Sequence, residues 1–133
     1  MFYVHDGVLI DPNTKPPEVY IETKGLIVDT HRVWIVTRDG TKSWDREGTN
    51  IPSSSSDIGT PDIYMIPDFN KQDGNILKVF VDLYNKLSTK QKFKLKVEIH
   101  QADYEPDILF NEDSELEGKS FNTFHVFVPL RVM

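Results

Sequence analysis

The sequence predicts an α+β fold that is mostly β: an antiparallel sheet or small β-sandwich of five to seven strands, one covering helix at about 75–88, and long loops. Three observations carry this expectation. Residues 90–100 alternate strictly, with Phe93, Leu95, Val97 and Ile99 between Lys92, Lys94, Lys96, Glu98 and His100. A strand turns successive side chains to opposite faces, so this stretch has one apolar face and one charged face. Phe124, Val126, Val128, Leu130 and Val132 repeat the pattern near the end of the sequence. Asp6-Gly7 and Asp39-Gly40 each lie between apolar runs, the mark of a tight hairpin whose turn needs positive φ.

In order along the chain, Phe2–His5 and Val8–Ile10 read as two short strands of a hairpin. Pro12, Pro16 and Pro17 make the following segment an extended connector, so residues 1–17 form an N-terminal hairpin and arm. Glu18 to Val28 reads as a strand with a bend at Gly25, and Asp29-Thr30-His31 as a turn. Arg32 to Arg38 is β-branched and aromatic, as a strand should be. A two-residue turn at Asp39-Gly40 sets Ile35 opposite Trp44 and Val36 opposite Ser43. Residues 46–62 lack periodicity, hold a Ser-rich run and read as one long irregular loop. Ile63–Ile66, stopped by Pro67, reads as an edge strand.

Ile76, Phe80, Leu83 and Leu87 fit one helical stripe, which places the helix; Val79 and Val81 keep a strand reading open. Asp73 or Asn75 would cap its start, and Lys86 and Lys90 suit its end. Residues 101–119 read as an acidic loop. Pro129 argues for an edge position for the last strand.

At 133 residues the expectation is a single domain, 1–133, able to bury a core without disulfide or metal staples. The absence of cysteine excludes a thiolate metal site and a cysteine nucleophile. The opening residues lack a signal-peptide pattern, and no apolar run approaches the roughly 18 residues that span a bilayer. The chain is therefore expected to be soluble and made in the cytoplasm. The formal net charge of −6 disfavours a general nucleic-acid binder.

The charges are unevenly placed. Residues 71–100 hold seven lysines against Asp73, Asp82 and Glu98. Residues 101–117 hold Asp103, Glu105, Asp107, Glu112, Asp113, Glu115 and Glu117 and no base. Lys92, Lys94 and Lys96 have three readings: protection of a sheet edge, a docking surface for an acidic partner, or a nucleic-acid contact. The last lacks aromatic residues on the lysine face. The acidic segment reads as a solvated loop or a Ca²⁺ site, though it lacks the EF-hand spacing. Either it meets the lysines of a second copy, with Ile108, Leu109 and Phe110 holding the contact, or it folds back on the lysines of its own chain.

No nucleophile elbow, P-loop or dinucleotide fingerprint is present, and no cofactor is expected. His100 and His125, with Asp103 nearby, would form a metal site if their strands paired; otherwise they are ordinary strand histidines. The expected function is a non-enzymatic structural or adaptor subunit, working by protein–protein contact with copies of itself and neighbouring subunits. Small cysteine-free β-rich chains with extended arms are common among bacteriophage neck, tail and capsid proteins, a likeness of general character without a shared motif. The alternative is a monomeric binding protein or inhibitor of one macromolecular target. An enzyme using Asp103 and Glu105 for acid–base work is a third reading, weakly founded because the two acids lie two apart in a loop.

Overall fold

Period-two alternation builds nearly every long element of this chain, and two sheets result. The computed structural model describes residues 1–51 and 60–133. Its strands are β1 (Phe2–Val4), β2 (Val8–Ile10), β3 (Glu18–Lys24), β4 (Val28–Val36), β5 (Lys42–Asn50), β6 (Asp62–Met65), β7 (Ile76–Tyr84), β8 (Gln91–His100), β9 (Asp107–Leu116) and β10 (Phe121–Val132). The first sheet runs β1-β10-β7-β4-β5, with β2 also paired to β10; the second runs β6-β3-β8-β9. Leu77, Val79, Val81 and Leu83 of β7, with Phe124, Val126, Val128 and Leu130 of β10, face Val19 and Ile21 of β3 and the apolar set of β8; all are buried. No helix is long and apolar enough to cross a membrane among the described residues.

The mostly-β expectation holds, but the covering helix does not. Residues 76–84 form β7, a central strand between β10 and β4. The helical stripe was a coincidence of two apolar faces. Leu77, Val79, Val81 and Leu83 point into the core, while Ile76 and Phe80 belong to the outer face. β-Branched Val79 and Val81 favour the strand, and burial on its inner face decides it. The described residues alone hold ten strands, more than the expected five to seven.

The Asp6-Gly7 hairpin is absent. β1 and β2 both run parallel to β10, Phe2 opposite His125 and Ile10 opposite Val132, so residues 2–10 form one interrupted strand. His5, Asp6 and Gly7 step past Pro129 between the two halves. Pro129 therefore sits inside a sheet without harm, where the expectation was an edge. Leu130 N–H donates to Asn75 on the β7 side, so the missing N–H of Pro129 faces the step between β1 and β2.

Asp29-Thr30-His31 is no turn but part of β4. Its two polar side chains point inward and find partners there. The β4–β5 hairpin forms as expected with Ile35 opposite Trp44, but a bulge puts Val36 opposite Lys42 rather than Ser43. Residues 46–50 of the expected 46–62 loop belong to β5, and 52–59 lie outside the described residues. The 63–66 edge strand is β6.

β8 is an internal strand between β3 and β9, so its lysines protect no edge. The acidic loop is mostly strand β9, antiparallel to β8. A bulge at Val97/Glu98 makes Leu109 an extra residue, so adjacent Leu109 and Phe110 are both buried. That break in alternation hides β9 in the sequence. Gly25 allows the crossing from β3 in the second sheet to β4 in the first. Its φ is 116°, and a Cβ there would lie 2.4 Å from the Lys92 carbonyl oxygen.

Candidate interaction surface

The β8–β9 ladder puts Lys92 opposite Glu115, Lys94 opposite Asp113 and Lys96 opposite Asn111. Lys94 Nζ lies 3.8 Å from Asp113, and Lys90 lies 3.1 Å from Glu117 and 3.6 Å from Glu115. These acids draw the Lys90 ammonium above its usual pKa, with Glu117 the main cause. On the other side Glu22 of β3 lies opposite Lys96. The outer face of the second sheet is thus a mosaic of both signs, and much of its charge is matched within one subunit. Such exposed pairs contribute little each.

Asp103 and Glu105 stand apart from this mosaic, in the exposed β8–β9 turn, and Asp107 begins β9. Ile108 is exposed beside them, whereas Leu109 and Phe110 belong to the core. Glu112 is half-buried and follows on the same strand.

The expected cluster of His100, His125 and Asp103 does not form. His100 lies on the outer face of the second sheet, its ring 3.9 Å from that of Tyr20. His125 lies on the outer face of the first sheet, among Phe2, Phe80 and Phe127. Burial there pushes its imidazole below the usual value, with the N-terminal ammonium and Lys78 adding to the effect. Among the described residues no group of three or more His, Asp or Glu side chains is arranged to hold a metal ion.

Sequence reasoning missed a buried polar cluster. His31 Nδ1 is 2.7 Å from Asp29, and Nε2 is 2.7 Å from the Tyr64 hydroxyl and 3.3 Å from Asp62. Thr23 donates to Asp29 at 2.8 Å, and Asn50 donates to Asp62 at 2.7 Å. Burial pushes the Tyr64 phenol up to about 12, aided by the Asp62 and Asp29 charges. The side chains come from both sheets, and the imidazole is fully buried. This suits a clasp between layers, in which hydrogen bonds offset desolvation.

It also missed how the two ends of the sandwich are built. At one end the 85–90 and 117–120 turns meet. Buried Asn85 donates to the carbonyls of Thr89, Leu116 and Glu117 at 2.8–3.1 Å and accepts from Leu87 N–H at 3.0 Å. Lys119 N–H donates to the Leu87 carbonyl at 2.9 Å, and Lys119 Nζ to that of Lys86. Gly118 lets the turns touch, since a Cβ would lie 2.3 Å from the Ser88 carbonyl oxygen. This fixed end presents Lys86, Leu87 and Lys119 to solvent.

At the opposite end buried Gln101 accepts from Asp11 N–H at 2.9 Å and donates to the carbonyls of Asp11 and Lys15 at 2.8 and 3.0 Å. The Tyr104 hydroxyl donates to Asp11 at 2.7 Å. Between the arm and the β8–β9 turn opens a cleft of about 480 Å³. Val8, Ile10, Pro17 and Ile99 form apolar walls, and Asp11, Glu105 and Asp107 stand around it. No signal within either local stretch announces this, because Asp11 and Gln101 lie 90 residues apart.

Comparison of the chain with protein families, with curated proteins and with solved structures finds no match.

Proposed function

We infer that this chain is a non-enzymatic structural or adaptor subunit, working by protein–protein contact with copies of itself in a larger symmetric assembly. The observation that carries the reading is the division of surface between the two ends of the sandwich. One end offers lysines on a rigid turn; the other offers an apolar cleft bordered by carboxylates. Unlike ends favour heterologous contact, which closes into a ring or continues as a tube. Charge supplies orientation and rate, while apolar burial supplies the holding energy.

Light scattering across concentration, at low and high salt, tests the reading. Mass should grow with concentration at low salt and fall as salt screens the contact. A strict monomer at high concentration and low salt would reject it and favour the monomeric binder instead.

A further inference from the structure

The geometry points to a specific seat for that contact: the Leu87 turn of one copy enters the cleft beside Asp11 of the next. The inference rests on the head-to-tail reading and goes further by naming both surfaces and the residue that enters.

Three features of the pair argue for this occupant. The chemistry is complementary. The cleft has apolar walls and an anionic border of Asp11, Glu105 and Asp107, so it suits an aliphatic group flanked by cations. The opposite end offers that arrangement, with Leu87 exposed beside Lys86 and near Lys119. The volume, about 480 Å³, leaves ample room for an aliphatic side chain with its flanking backbone.

Both surfaces are also organised before they meet. Asn85 fixes the turn through four hydrogen bonds, and Gln101 with Tyr104 fixes the cleft's arm. A contact between ordered surfaces loses less entropy on forming. Finally, the two surfaces lie at opposite ends of the strands. β8 leaves the turn at Gln91 and reaches the cleft at His100. Docking at one end therefore leaves the other open, and growth can continue. An end contact of this kind is small, so the association should be weak and salt-sensitive.

The test uses two damaged subunits. One carries Lys86→Ser with Leu87→Ser, leaving its cleft intact. The other carries Glu105→Lys with Asp107→Lys, leaving its turn intact. All four positions are exposed, and circular dichroism with thermal melting checks that each variant folds. Analytical ultracentrifugation at low salt should show wild type forming a series of oligomers and each variant alone at least tenfold weaker in association. The mixture should give a one-to-one pair and nothing larger, because only one good turn and one good cleft remain. If both variants associate like wild type, or the mixture stays monomeric, this seat is wrong while assembly by another surface stands. If wild type itself stays monomeric, the assembly reading falls with it.

Discussion

The two ends of the sandwich are closed by the same device used at different range. Each has one buried side-chain amide that gathers backbone groups. Asn85 joins turns that two consecutive strand pairs bring together, and it serves the carbonyls of Thr89, Leu116 and Glu117. Gln101 reaches the N-terminal arm, 90 residues away, and holds it by Asp11 and Lys15. The end that carries Leu87 is thus held by hydrogen bonds among its own neighbouring turns. The acidic cleft exists only while a distant arm stays docked. An assembly built on these ends would have a plug held by neighbouring turns and a socket held across the length of the chain.

The contrast can be broken most directly at Asn85. Asn85→Ala removes the side-chain donor from the buried Leu116 carbonyl and one donor from the partly buried carbonyls of Thr89 and Glu117, and should cost about 2–4 kcal/mol by urea denaturation. Gln101→Ala should cost less, about 1–2 kcal/mol, because its partners lie nearer to solvent. Its signature should be local: faster hydrogen exchange at the Asp11 amide, with β8 amides unchanged. Equal global losses at both positions would erase the distinction between a local and a long-range staple.

A smaller effect sharpens the comparison through pH. The Tyr104 hydroxyl, and then the Asn13 N–H, hold the Asp11 carboxyl below its ordinary 3.8. A depressed folded value means that the bond's contribution is present above the unfolded value. It is lost as pH falls through the folded one. Asp11 raises Tyr104 above its ordinary 10.0, so the phenol's contribution holds below that value and fades as pH rises through the folded one. Tyr104→Phe should move the Asp11 titration upward in NMR, with little change in stability because both groups are exposed. An unmoved Asp11 would show that the arm is held by Gln101 alone.

β6 and β8 of the second sheet were legible in the sequence, because β8 alternates without interruption and Pro67 follows β6 closely, whereas the bulge in β9 hid that strand. The β4–β5 hairpin was legible through Asp39-Gly40. The failures share a cause: information that lies far along the chain or on the other face. β7 looked helical because Phe80 and Ile76 add apolar residues to its outer face. Asp29 and His31 looked like a turn because the partners that satisfy them, Thr23, Tyr64 and Asp62, come from β3 and β6 of the opposite sheet. Asp6-Gly7 looked like a hairpin because the true partner of both flanking strands is β10. For the candidate surface, the carboxylates at 103–107 stood out as charges. The cleft beside them did not, since its walls come from residues 8–17 and 99.

The parallel pairing of residues 2–10 with β10 has a consequence for how the molecule comes into being. β1 and β2 leave a ribosome long before β10 and have no place in the sheet until residues 121–132 emerge. β7 likewise has β10 as one of its two neighbours. Until then Val8 and Ile10 lack their place in the sheet and β7 lacks one hydrogen-bonded neighbour, so the nascent chain carries exposed apolar surface and an open strand edge. Maturation of this sandwich is therefore a late event, slow by the measure of sequence separation, and gated by its final strand.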